Sequence, residues 1–207
     1  MKKALKILFY TLISFITILF LFSYVYSLSV KSNLGKFEKD VNSKWVEYFM
    51  NSTEKVKNTQ EFINNPEYVI PYRNAINQTI DRNLRERIKY SNECKLGFVE
   101  LEYELNKTMM SLLDSTNINL SKYKTFKNIF ITSNDKLNAL IAEYNNAVLS
   151  YNLYISTFPN FIIAKRNGFV RKKFFEIKYG VNNENPIEKS KKLPEWAVGI
   201  DTTVHSK

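Results

Sequence analysis

Between Lys124 and Thr157 the chain runs without a proline or a glycine. Phe130, Ser133, Leu137, Leu140, Tyr144, Ala147, Tyr151 and Tyr154 recur there at steps of three and four. That alternation keeps one stripe of a helix facing a partner. At about 1.5 Å per residue the run predicts a helix of roughly 50 Å. Such a length suits a long antiparallel bundle better than a compact globule. Pro159 ends the run, because the residue before a proline is pushed out of the helical region. The same proline suits the first position of a short helix, Asn160 to Asn167. Gly168 then fits a left-handed cap, and Phe161, Ile162, Ile163 and Ala164 give the short helix an apolar face to dock.

Partners for the long helix come from earlier in the chain. Leu34, Phe37, Val41, Trp45, Tyr48, Val56 and Phe62 lie largely on one stripe, predicting a helix over Leu34–Ile63. Asn64-Asn65-Pro66 stops it and Pro71 closes a short loop. Ile76, Ile80, Leu84, Ile88, Cys94, Phe98, Leu101, Leu105, Met109 and Leu112 predict a second long helix over Ala75–Leu113. Its other face carries Arg82, Arg85, Glu86, Arg87, Lys89, Glu93, Glu100, Glu102 and Glu104, which reads as a solvated face. Gly97 inside it marks a close helix contact, and Asp114–Ser121 is a polar connection. Five glycines and five prolines in 207 residues argue for helices and against strands and turns. The expected fold class is all-α: an N-terminal transmembrane helix, then an antiparallel bundle of three long helices plus a short C-terminal helix.

The transmembrane element is the uncharged run Ile7–Leu28, preceded by Lys2, Lys3 and Lys6. As a helix it spans about 33 Å, enough for a hydrocarbon core. A cleaved signal peptide is the rival, but its apolar core is shorter and ends at a small-x-small site. Here bulky Tyr24, Val25 and Tyr26 precede only Ser27-Leu28-Ser29, and no Cys follows for lipid attachment. The run therefore reads as an uncleaved single-pass anchor in contact with the lipid bilayer through residues 7–28. Lys31, Lys36, Lys39 and Lys44 nearly balance the lysines before it, so orientation rests on the tight amino-terminal cluster, which favours a domain outside the cytoplasm.

The stretch around the long helix carries an ordered set of motifs. Tyr144-Asn145, Ala147-Val148, Tyr151-Asn152, Ile155, Thr157-Phe158-Pro159, Ile163-Ala164, Gly168-Phe169 and Phe174-Phe175-Glu176 resemble the C-terminal signature of LemA family proteins. Ser133–Leu137 is similar to the polar start of that segment, and a weaker likeness covers Lys44–Lys57. There Tyr48-Phe49-Met50-Asn51-Ser52 stands where the family has Leu-Ile-Pro-Asn-Leu, without its proline. The resemblance implies a bacterial protein with one N-terminal membrane helix and an antiparallel helical domain, placed at the cytoplasmic (inner) membrane. It implies Tyr144, Asn145, Tyr151, Asn152, Phe158, Pro159, Gly168, Phe169 and Phe175 as structural signature residues, and no settled molecular activity. The resulting layout is an anchor over 1–30, a LemA-like helical bundle domain over 31–179 and a mostly flexible tail over 180–207. Glu195–Ile200 is the tail's one apolar island.

Reaction chemistry is hard to find. His205 and Cys94 are the single histidine and the single cysteine, and metal sites need clustered ligands. No phosphate-binding glycine loop, HExxH or GxSxG occurs. No catalytic, cofactor-binding or metal residues are therefore assigned, and no cofactor is expected. A cofactor-free envelope enzyme, using carboxylates such as Glu100 and Glu104 in a groove, is the alternative; two converging carboxylates with raised pKa would favour it. The Tyr-Asn pairs recur seven residues apart, along one helix face. Asn145 and Asn152 there either bind an extended peptide or hydrogen-bond a neighbouring helix and fix its register. The net charge of +10 favours anionic partners. Lys165, Arg166, Arg171, Lys172, Lys173 and Phe174 form the candidate partner-binding surface, for lipid, for another protein or anionic envelope polymer, and least for nucleic acid. An up-down-up bundle places that basic end distal to the membrane, about 40–50 Å out. The expected function is non-catalytic: interaction or scaffolding at the bacterial envelope.

Overall fold

A computed structural model of the chain describes residues 2–68, 70–115, 121–181 and 184–192. These form helices α1 (Lys2–Asn64), α2 (Arg73–Arg87), α3 (Leu96–Ser115), α4 (Ser121–Ser156), α5 (Asn160–Arg166) and α6 (Pro186–Lys192), with a 3-10 turn at Ile88–Tyr90 after α2. No strand occurs among the described residues, so the all-α class stands. The apolar island Glu195–Ile200, His205 and most of the link before α4 lie outside the described residues.

Two compact units are present. One comprises Met1–Val41 with Ala147–Lys172, the other Asn42–Asn146 with Lys173 onward. In the first unit α1 begins with an apolar stretch whose large side chains, from Leu5 to Leu28, are exposed except for the half-buried Tyr26. Burial starts at Val30 and Leu34, and Val148, Tyr151, Ile155 and Ala164 of the same unit are buried as well. Anchor and first domain helix were expected as separate elements, but α1 continues through them. Nothing between Leu28 and Leu34 breaks a helix, and the one nearby glycine, Gly35, has nothing within 4 Å of where a Cβ would stand.

The second unit centres on Trp45, whose ring lies 5.3–5.8 Å from those of Tyr48, Phe98, Tyr144 and Phe175. A further apolar cluster holds Val56, Ile63, Ile80, Met109, Leu112 and Phe130. Here the expected single helix over Ala75–Leu113 is corrected: it breaks between Tyr90 and Leu96. The indole Nε1 of Trp45 donates to the Tyr90 carbonyl at 2.9 Å, taking that oxygen out of the helical ladder. Gly97 begins the next turn beneath the Tyr90 ring; a Cβ there would stand 2.4 Å from the Tyr90 hydroxyl. The close approach read from Gly97 is thus made by a tyrosine rather than by a helix. The supposed solvated face is corrected too, since Arg87 and Glu102 are among the most buried side chains.

At the other helix ends the local signals act as expected. Asn65 Oδ1 accepts the Glu67 N–H in the turn that follows α1. Beyond α5 the Phe169 N–H reaches the Ala164 carbonyl at 3.0 Å and the Gly168 N–H the Lys165 carbonyl at 3.3 Å. This pair of bonds requires the left-handed backbone that Gly168 adopts at φ 76°. Phe158, expected to fill the end of the core, is instead 74 % exposed. The buried place at this turn goes to Asn160, whose Nδ2 donates to the Tyr154 carbonyl at 3.2 Å. The Phe158–Pro159 bond is cis. Two substitutions separate these roles. Gly168→Ala meets no steric obstacle, so its cost is purely the left-handed backbone, about 1 kcal/mol. Phe158→Ala should stay within about 0.5 kcal/mol, as for an exposed site. Urea unfolding of the two variants checks both; equal effects would contradict the turn described here.

Candidate functional site

After Gly168 the chain does not return to helix until α6. Residues 169–178 belong to no helix or strand, and no sheet occurs among the described residues for them to join. From Phe175 onward burial alternates: Phe175, Ile177 and Tyr179 are buried while Glu176 and Lys178 are exposed. That is the two-residue period of a strand. An extended segment packed on a core must still find partners for its amide groups, and α4 supplies them.

Within the first unit, Asn152 pairs with Lys172 in both directions. Its Nδ2 donates to the Lys172 carbonyl at 2.9 Å, and its Oδ1 accepts the Lys172 N–H at 2.9 Å. Tyr151 donates its hydroxyl to the Val170 carbonyl at 2.9 Å. Within the second unit, Asn145 does the same for Phe175, at 2.8 and 2.9 Å, and Tyr144 donates to the Lys173 carbonyl at 2.9 Å. Asn138, a further heptad back, pairs both ways with Tyr179 at 3.1 and 2.8 Å. Asn106 on α3 takes the next residues, donating to the Val181 carbonyl at 3.0 Å and accepting the Gly180 N–H. The tyrosines pack inward, and burial pushes the Tyr151 hydroxyl up to about 12 and that of Tyr144 up as well. Asparagine suits this work because one side chain carries both a donor and an acceptor, matching a backbone N–H and C=O. Asn145 and Asn152 thus hold neither a helix nor a foreign peptide, but the chain's own extended segment. Asn138 and Asn106 were missed by sequence reasoning; the heptad spacing Asn138, Asn145, Asn152 was the available signal.

The segment's last buried residue enters a polar centre. Tyr179 donates its hydroxyl to Glu102 Oε2 and stands 2.7 Å from the Tyr48 hydroxyl. Glu102 faces Arg87 at 3.1 Å, both side chains almost fully buried. Asn83 Nδ2 adds a donor to Glu102 at 3.4 Å, and Arg87 also donates to Asn83 and Ser52. Desolvation and the nearby Glu102 charge raise both tyrosines well above the usual phenol range. Lys55 borders the same centre. It donates to Asn134 and lies over the Phe130 and Tyr179 rings, at 4.1 and 4.4 Å. Burial lowers its ammonium to about 7, against an opposing pull from Glu102. A cavity of about 10 Å³, bordered by Lys55, Glu102 and Tyr179, has room for about one water molecule. Among the described residues only one carboxylate, Glu102, enters this centre; Glu104 meets Arg82 at the surface at 3.0 Å. Among the described residues no three His, Cys, Asp or Glu side chains gather as a metal set. Cys94 is half-buried, and desolvation pushes its thiol up to about 12.

The basic residues are divided by the fold. Lys165, Arg166, Arg171 and Lys173 are exposed, with Arg171 donating to Ser156 Oγ at 2.8 Å. Lys172 is half-buried against Glu38 at 2.6 Å. Phe174 is exposed, Phe169 half-buried and Phe175 buried. The distal placement is corrected. Asn160, at the start of α5, accepts the Tyr26 hydroxyl at 2.8 Å. Tyr26 lies within the uncharged run of α1, so α5 stands beside the end of that run and not far from it.

With α4, α5 and the extended segment in view, comparison with known families bears on this part of the chain. Residues 119–188 match the LemA family model. The match covers about a third of the chain's 207 residues. The matched stretch contains all of α4 and α5, the extended segment and the Tyr144-Asn145 and Tyr151-Asn152 pairs that hold it. No curated protein and no solved structure matches the chain.

Removing one clamp tests its weight. Asn145→Ala leaves the Phe175 N–H and C=O without their partner, and each orphaned group costs on the order of 1 kcal/mol or more. A destabilisation of about 2 kcal/mol in urea unfolding is expected; a neutral result would show that water replaces the side chain. Lys55 gives a pH test. Its folded pKa lies below the unfolded value of 10.5, so between pH 7 and 10 the unfolded chain binds more protons. Stability should therefore rise with pH through that window. Thermal midpoints of the detergent-solubilised chain should climb from pH 7 to 9, and Lys55→Met should flatten the climb. The same slope in the variant would assign it to other groups.

Proposed function

We propose that this protein is a single-pass, membrane-anchored member of the LemA type that works by binding and not by catalysis, as an interaction or scaffold protein at the bacterial envelope. The observation that carries the reading is the start of α1. Among the described residues one helix is long and apolar enough to cross a membrane, and none of its most apolar window is buried. Apolar side chains exposed over that length are stable in lipid and not in water. The helix continues into the unit that holds part of the stretch matching the LemA family model, so anchor and domain are joined without a linker. The inner membrane is the proposed location, with the domain outside the cytoplasm.

A binding role is supported by where the polar groups go. The Glu102 carboxylate is engaged by Arg87, Asn83 and Tyr179, and the cavity beside it admits no more than about one water. The exposed groups of the extended segment, Arg171 and Phe174, offer a cation and an aromatic ring to a protein or an anionic envelope polymer. The test is capture of the full chain from native membranes in mild detergent, with mass spectrometry of what accompanies it. Arg171→Ala with Phe174→Ala should reduce capture and its salt dependence while leaving the unfolding midpoint nearly unchanged. Undiminished capture would remove this surface from the reading.

A further inference from the structure

The end of α5 carries an unusual amount of exposed apolar surface. Phe158, Phe161 and Ile162 are 74 %, 48 % and 51 % exposed, and the two rings lie 6.2 Å apart. One helical turn on, Lys165 and Arg166 follow at the spacing that shares a face with Phe161 and Ile162. Aromatic and aliphatic side chains bordered by basic ones form the pattern of a segment lying in a membrane interface.

Its place in the fold says which surface covers it. Contacts within the first unit order α4, α5 and the extended segment along α1. Tyr26 meets Asn160 at 2.8 Å, Asn33 meets Tyr154 at 3.2 Å, and Glu38 meets Lys172 at 2.6 Å. From Tyr26 to Glu38 is about 18 Å of helix. The α5 turn is therefore the part beside the apolar run of α1, whose uncharged stretch ends at Leu28 before Lys31. Tyr24 and Tyr26 stand where tyrosines commonly collect, at the boundary between hydrocarbon and water.

We infer that the α5 turn is a second membrane contact: Phe158, Phe161 and Ile162 enter the bilayer interface beside the α1 span, and Lys165 and Arg166 meet anionic headgroups. This rests on the anchor reading of α1. It sets the first unit directly on the bilayer, because the Asn160–Tyr26 hydrogen bond ties the turn to the span. Charges this close to the headgroups lie within a Debye length and contribute, whereas at a distal end they would not.

The experiment uses the full chain with Cys94→Ala, reconstituted into vesicles of phosphatidylcholine and phosphatidylglycerol. Single cysteines from Phe158→Cys, Phe20→Cys and Met50→Cys each carry an environment-sensitive fluorophore, and lipids spin-labelled at a shallow or a deep carbon act as quenchers. Circular dichroism checks each variant for folding, and Ile162→Cys, another exposed site of the same turn, is a second reporter if Phe158→Cys fails. The inference expects the probe at 158 to lose fluorescence to the shallow quencher more than to the deep one. The probe at 20 should show the reverse order, and the probe at 50 should respond to neither. Quenching at 20 without quenching at 158 overturns the second contact and leaves the anchor standing. A probe at 158 that is shielded from water yet unquenched by either lipid also overturns it, in favour of a covering protein or second copy. No quenching at 20 removes the anchor, and the inference falls with it.

Discussion

An extended segment laid on a helical core has backbone groups that no sheet will satisfy, and the rest of this structure depends on how those groups are paired. Residues 169–178 follow α5 and belong to no helix or strand. Water satisfies such a segment only while it stays at the surface, yet Phe175, Ile177 and Tyr179 are needed inside. The side chains of α4 resolve the conflict. Asn152, Asn145 and Asn138 each pair with both the N–H and the C=O of one residue, and Tyr151 and Tyr144 take the carbonyls of Val170 and Lys173. Each asparagine plays the part that a neighbouring strand would play in a sheet. The heptad spacing follows, because only residues on one face of α4 can reach the segment.

What the clamps deliver to the second unit is Tyr179. Its hydroxyl completes the surroundings of Glu102, already paired with Arg87. A buried ion pair is a poor source of net stability, because the desolvation cost offsets the attraction, but losing one partner from it is severe. The pair therefore acts more as a lock on placement than as a stabiliser. It ties α1 through Ser52, α2 through Arg87 and Asn83, α3 through Glu102 and the extended segment through Tyr179 to one point. A chain segment arriving out of register would leave the carboxylate short of a donor.

Much of this was legible in the sequence, and the exceptions have physical causes. The uninterrupted period of α4 and the stop at Pro159 gave its bounds to within a few residues, and Gly168 announced its left-handed turn. The break after Tyr90 was hidden, because the apolar period continues across it. It is made by a distant indole, Trp45, which no local pattern contains. Arg87 and Glu102 lay among other charges in a face that looked solvated, and only their meeting across two helices reveals them as interior. Phe158 was misread in the other direction: aromatic character suggested core, while the turn gives the interior to Asn160. For the Tyr-Asn pairs the spacing was visible but not its partner, since the alternation Phe175, Ile177, Tyr179 was not recognised as a strand-like segment. The distal placement of the basic residues failed because it assumed a regular up-down-up path, whereas the Tyr26–Asn160 bond brings α5 back beside the apolar run.

The central claim is that side chains of α4 and α3, and not a sheet or a helix, hold the backbone of the extended segment. Residue-resolved amide hydrogen exchange of the intact chain tests it most directly. The amides of Lys172, Phe175, Tyr179 and Gly180 have asparagine acceptors and should exchange slowly, while those of the intervening Phe174 and Glu176 exchange fast. Uniformly fast exchange from 172 to 180 would contradict the account, as would uniform protection, which would point to regular secondary structure instead.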